Sequence, residues 1–198
     1  MTHRAQGSRW LVVFLWIAVI TSGVAFGAKL FEFTVVISAW AADPPASLSL
    51  MPYGPGHPYD PGDFFLPLSI LALIGWVGAL VCARKALRSY RIWLWVALAS
   101  FLVIWLATPT LFWPMIGDLY HAGTGARTLD ASAAQSLVNR WLVLDWLRTA
   151  FIAVGLVCAI QALSSRYRAF GAQRTALRAA ADAERLPHAA MVDLDVAG

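Results

Sequence analysis

Asp145 and Arg148 stand three residues apart inside the apolar run NRWLVLDWLRTAFIAVGLVCAIQAL (139–163). A charge at bilayer depth costs at least about 2.5 to 3.5 kcal/mol on insertion scales, so an acid and a base there must turn away from lipid and find partners. At about 100° per residue, Trp141, Asp145, Arg148 and Ile152 share one stripe, with Thr149 at its margin and Asn139 one turn above. A second charged pair, Lys29 and Glu32, lies on adjacent turns of the first apolar segment. Lys29 is long enough to snorkel outward, whereas Glu32 is not and is the better candidate for burial.

Helical rise puts the two pairs at one depth. Counted from Arg166, Arg148 lies about 27 Å and Asp145 about 31 Å up, Lys29 and Glu32 lie roughly 28 to 33 Å above Trp10, and Thr108 and Thr110 about 26 to 28 Å above Arg91. His57, Asp118, His121 and Asn139 fall in or next to the outer loops above this layer, and Trp113 and Trp141 are placed to wall it. Two readings follow. In one, Glu32 pairs with Arg148, and Asp145 with Lys29 or Arg148, as a clamp that fixes helix register. In the other, the layer is a site for a lipophilic aromatic or quinone-like molecule: His121, Asp145 or Glu32 is the base, Arg148 the partner of a developing oxyanion, and Trp113, Trp141, Asn139 and Thr108 the binding residues. No HExxH, CxxC, helically spaced histidine pair, P-loop, dinucleotide fingerprint or nucleophile elbow is present in the sequence, so no metal or cofactor is expected.

The elements that must hold these residues follow from hydropathy. Of 198 residues, 60% are hydrophobic and 13% charged, against roughly 25% charged in soluble domains, which defines an integral membrane protein. Four spans are predicted, near residues 10–40, 64–83, 92–113 and 138–163, as an all-α membrane four-helix bundle. The first begins like a signal peptide, but its apolar pattern continues to Trp40, well beyond an h-region of about 7 to 15 residues, and it is read as uncleaved. It carries Gly23-Val-Ala-Phe-Gly27, a pattern that permits close helix packing. Residues 42–63 hold six prolines and three glycines, predicting a turn-rich loop with His57 solvated. Pro109 should kink or end the third helix, and Asp130 should cap the fourth. Residues 164–198 read as a basic helix fraying near Gly171 or beyond, with disorder from Pro187.

Of the 15 Lys and Arg residues, 11 lie in segments 1–9, 84–91 and 164–198, and the opposite loops hold only Arg127. Both termini are therefore expected in the cytoplasm, with the protein in the cell membrane, the inner membrane of a bacterium. The net charge of +4 follows membrane side and forms no aromatic-studded patch, which excludes nucleic acid as a partner. The expected partners are the bilayer and a lipophilic aromatic molecule, with homo-oligomers or another protein left open. Trp10, Trp40, Trp93, Trp113 and Trp141 end apolar runs as interfacial anchors, while Trp16, Trp76, Trp105 and Trp146 are expected inside the bundle or lining a pocket. Cys82 and Cys158 read as small apolar fillers.

The segments GVAFGAKLFEFTVVISAW, YDPGDFF (59–65), TPTLFWPMIGDL and NRWLVLDWLRTAFIAVGLVCAIQAL together resemble the anthrone oxygenase-like family of four-helix membrane proteins, over roughly residues 23–163. The resemblance implies the fold and, from the fungal members, oxidation of an anthrone methylene to the quinone by dioxygen without an evident cofactor. A non-catalytic accessory subunit or small-molecule binder is the alternative.

Overall fold

The structure, a computed structural model, describes residues 2–54, 56–84 and 88–195. Among them every regular element is helical, and four helices are long and apolar enough to cross a membrane: Arg9–Trp40, Pro61–Cys82, Tyr90–Gly123 and Ala131–Ala176. These are called the first to fourth spans. Their outward faces carry Ile20, Phe31, Ile92, Leu106 and Val143, each more than half exposed, which is where a chain solvated by hydrocarbon puts apolar side chains. The chain divides into two compact units, residues 1–162 and 163–198, and the described part of the second, to Asp195, is helical.

Local chemistry sets the ends. The second span begins at Pro61, three residues before the predicted start, because Asp60 and Asp63 form a reciprocal capping box: the Asp63 amide donates to Asp60 Oδ1 and the Asp60 amide to Asp63 Oδ2, both at 3.1 Å. Pro61 takes the first helical position, where its missing amide costs nothing. Asp130 caps the fourth span as expected, accepting from the Ala133 amide at 2.7 Å. The Ser132 hydroxyl and that amide hold its carboxyl below the usual range. Beyond residue 163 the helix continues through Gly171 and Pro187 to Asp195, longer than the sequence suggests. The alanine- and arginine-rich composition explains the persistence. Residues 196–198 of the expected disordered tail lie outside the described residues.

Two spans widen into π-helix at one level. In the first, Glu32–Ile37 is π-helical between α-helical turns, and in the third Thr108–Phe112 takes the same form before α-helix resumes at Trp113. Pro109 thus neither ends nor simply kinks its helix. The wider turn accommodates the missing donor and rotates the following residues, placing Phe112 inward at 3% exposure.

The proline-rich loop folds down over the outer end. Ala46–Leu50 makes a 3-10 turn whose Leu48, with Met51, packs against Trp40, Phe112, Met115, Leu119, Val138 and Trp141. Trp40 and Trp141 are each at least 98% buried with ring centroids 5.2 Å apart, so they are core residues and not the interfacial anchors their positions suggest. Gly54, at φ 87°, leaves room for Tyr120, whose hydroxyl lies only 2.0 Å from where a Cβ would sit. His57 is exposed.

Close packing of the first two spans rests on the second, not on the predicted Gly23 and Gly27. A Cβ at Gly27 would touch nothing within 4 Å and one at Gly23 only the Leu156 side chain at 3.8 Å, whereas at Gly75 it would lie 2.9 Å from the Ala18 amide nitrogen. Backbone cannot yield as a side chain can, so Gly75→Ala should lower the stability of detergent-solubilised protein by about 1 to 3 kcal/mol. Gly27→Ala should leave it unchanged or raise it by up to about 1 kcal/mol. Thermal melts of the two variants beside wild type measure both.

Candidate functional site

Among the described residues Lys29 is the most enclosed cation, 1% exposed, and it does not snorkel. Its ammonium donates to Glu32 Oε2 at 2.6 Å and lies 2.8 Å from Asp145 Oδ2, with the rings of Phe33, Phe65 and Trp141 centred 5.7–5.9 Å away. Inward orientation wins because a carboxylate of another span and three aromatic faces wait there, all out of water's reach. Asp145, fully buried, also pairs with Arg148 one turn along its own helix. The Arg148 guanidinium lies over the Phe112 ring at 4.2 Å, on the π-helical turn of the third span. Glu32 is 8% exposed and pairs with Lys29, so the expected Glu32–Arg148 pair is replaced by a chain, Glu32–Lys29–Asp145–Arg148. Two cations and two anions leave the quartet with no formal net charge, which is what makes its burial tolerable.

The quartet borders a cavity of about 580 Å³, within the size range of small-molecule sites. Lys29, Glu32, Tyr53, Asp60, Tyr120 and Arg148 line one part of it, and Thr21, Ser22, Ala72, Trp76, Ala97, Phe101 and Gly155 another. Interiors are close-packed, with few voids larger than a water, so a void this size stands apart from ordinary packing. Within the quartet, Arg148 Nε and both Asp145 carboxylate oxygens lack aligned hydrogen bonds although Asp145 is ion-paired. A buried donor left open beside a cavity suits a ligand oxygen.

Several predicted residues meet here and others do not. Glu32, Arg148, Thr108 and Trp113 line the cavity. Thr108 donates its hydroxyl to the Ile104 carbonyl at 2.8 Å, and Trp113 is 63% exposed. Asp145 and Trp141 stand behind the lining, the former between the two cations and the latter against Trp40 and Phe112. Asn139 is exposed and accepts from Gln135 at 3.0 Å on its own helix. His121 is exposed, in ring contact with Tyr120, and does not line the cavity, and Asp118 pairs with Arg127 at the surface. Helical phase explains the difference: on the short helix after the π-turn, Tyr120 turns inward and the next residue cannot.

Tyr53 was not legible as a site residue. It comes from the proline-rich loop, lines the cavity, and has its phenol pushed above the usual range, first by burial and then by the Glu32 carboxylate. An aromatic residue among prolines and glycines is the only signal the sequence carries for it. Of the deep tryptophans, Trp76 (1% exposed) and Trp105 line the cavity, the latter donating to Ser69 Oγ at 3.3 Å, while Trp146 stacks on Phe33 at 4.2 Å and Trp16 is 44% exposed. Both cysteines are free, and among the described residues no group of three or more His, Cys, Asp or Glu is placed to hold a metal.

Four apolar spans around a cavity with a charged border define a helical membrane protein. The sequence model described as anthrone oxygenase matches residues 57–158, just over half of the chain, and the chain belongs to that family. The matched segment contains Asp145 and Arg148 but not Lys29 and Glu32. No curated protein and no solved structure matches the chain significantly.

The ion-pair chain predicts strong coupling between the first and fourth spans. Lys29→Met and Asp145→Asn should each cost about 3 to 5 kcal/mol, because each strands a buried charge. The double variant should cost less than the sum by at least about 1 kcal/mol. Denaturation of the purified protein in one detergent would give all three values, and strict additivity would show that the residues do not interact.

Proposed function

We propose that the chain is a multi-pass membrane oxygenase that converts a methylene beside an aromatic ring into a carbonyl, acting on a lipophilic keto- or hydroxyaryl molecule with dioxygen as the oxidant. Family membership and the polar border of the cavity support this reading. The observation that carries it is that a carboxylate, an ammonium and a guanidinium with an open donor line one apolar-walled void.

In this mechanism the ligand's oxygen sits near Arg148, and Glu32 takes a proton from the methylene. Guanidinium and ammonium stabilise the enolate that forms, more strongly than in water because nothing must reorganise. The electron-rich carbon gives its electrons to dioxygen and becomes bonded to one oxygen atom, and the proton held by Glu32 returns to make a hydroperoxide. Loss of the second methylene proton with cleavage of the oxygen–oxygen bond gives the carbonyl and one water. One dioxygen thus supplies the carbonyl oxygen and the water oxygen, and the four electrons come from the methylene carbon. Tyr53, a cavity-lining phenol that is protonated at neutral pH, donates to the substrate oxygen. Asp145 acts through Lys29 and Arg148 by holding both in place.

Oxygen uptake by purified protein with anthrone-type substrates tests the reading. Glu32→Gln should reduce turnover at least about 100-fold while the protein stays folded, because Lys29 keeps Asp145 as a partner. His121→Ala should leave turnover unchanged. If wild type shows no uptake above the spontaneous rate across several lipophilic phenols and anthrones, the oxygenase reading fails, and retained binding would make the chain a small-molecule binder.

The same reading places both termini in the cytoplasm, supported by the 11 cations in segments 1–9, 84–91 and 164–198. In a background without Cys82 and Cys158, single cysteines at positions 57 and 121 should react with an impermeant thiol reagent from outside the cell. Labelling of these positions only from the cytoplasmic side would invert the topology.

A further inference from the structure

The cavity reaches well beyond its charged border. Its lining runs along the first span from Glu32 to Thr21, about 16 Å of helix, and along the second from Pro61 to Trp76, about 22 Å. A head of three fused rings covers only about half of the longer distance. The remainder is apolar apart from the hydroxyls of Thr21, Ser22 and Ser69, and its packing is open. Gly155 is buried, lines this inner part, and yet a Cβ added to it would meet nothing within 4 Å. The lining is also open to the side. Leu66 of the second span and Trp105 and Trp113 of the third line the cavity and are 56%, 41% and 63% exposed, on the faces that meet lipid.

We infer that the substrate is a membrane-resident amphiphile: a keto- or hydroxyaryl head held at the quartet, joined to a prenyl or alkyl tail that lies in the inner cavity along Ala72, Trp76 and Gly155, and loaded from the bilayer between the second and third spans. The inference deepens the oxygenase reading and rests on it for the identity of the head group. A tail gains little by exchanging lipid for an apolar pocket, since lipid is as apolar as leucine. Its role is therefore to fill the void and set the depth and tilt of the head, so that a molecule without it binds with a free inner volume and a loosely held methylene.

The test uses the full chain in nanodiscs, with ligand given as mole fraction of lipid so that partitioning cancels. An aryl ketone bearing a diazirine at the end of a ten-carbon tail should label peptides containing Trp76 or Gly155 in wild type, and an excess of the unlabelled tailed ketone should compete. Gly155→Leu fills open space without displacing backbone. It should remove that labelling and raise KM for the tailed substrate at least tenfold, leaving KM for the tailless analogue within twofold of wild type. Val154→Leu, on the exposed side of the same helix, should change neither. Inner labelling without oxygen uptake by any substrate would sink the oxygenase reading and keep the tail site. Turnover with labelling confined to lipid-facing residues such as Trp113 and Val157, or with equal effects of Gly155→Leu on tailed and tailless substrates, would overturn the tail site and keep the oxygenase. Competition by phospholipid alone, with none by the tailed ketone, would overturn it as well.

Discussion

The ammonium of Lys29 between the carboxylates of Glu32 and Asp145 is the contact on which the site depends. None of the four charges in the chain could be buried alone, and each is buried because the next one is. Lys29 ties the first span to the fourth, and Arg148 carries the connection to the third through Phe112. The spans thus meet at a polar level, while elsewhere they present apolar surface that lipid would solvate equally well. A hydrophobic driving force cannot register helices in a bilayer, and a network of this kind can.

The two π-helical turns belong to the same constraint. One begins at Glu32 and the other ends at Phe112, the residue against which Arg148 lies. A π turn lengthens the local repeat by one residue and so changes which face points inward without ending the helix. In the third span the change is forced by Pro109. In the first no proline is present, and the turn coincides with the burial of a carboxylate that regular helix would aim elsewhere.

Much of the fold could be read from composition, because four long apolar stretches have no other solution in a bilayer. The common depth of the two charged pairs was also legible, since helical rise is fixed whatever the packing. So were the pairings of Lys29 with Glu32 and of Asp145 with Lys29 or Arg148, whereas Glu32, expected on Arg148, is held by Lys29. Glu32 and Lys29 stand three residues apart on adjacent turns of one helix, so their contact needs no other span to form. Trp40 and Trp141 were misread: their positions at the ends of apolar runs suit an interface, but the proline-rich loop folds over them and makes the outer end dry. Tyr53 escaped notice because the same loop reads as solvated until its fold is known. Gly75, and not Gly23 or Gly27, takes the close approach, which shows that paired glycines mark permission for contact and not contact itself.

The neutrality of the quartet has a consequence for what can happen beside it. A proton that moves from a bound ligand to Glu32 separates charge inside the enclosure but adds none to it, so the total seen by the surrounding lipid is the same before and after. The costly step for such a site would be any change in its total charge. An internally balanced group of ions is in this sense a private buffer, able to lend and reclaim one proton within a single encounter while the bilayer around it registers no change in charge.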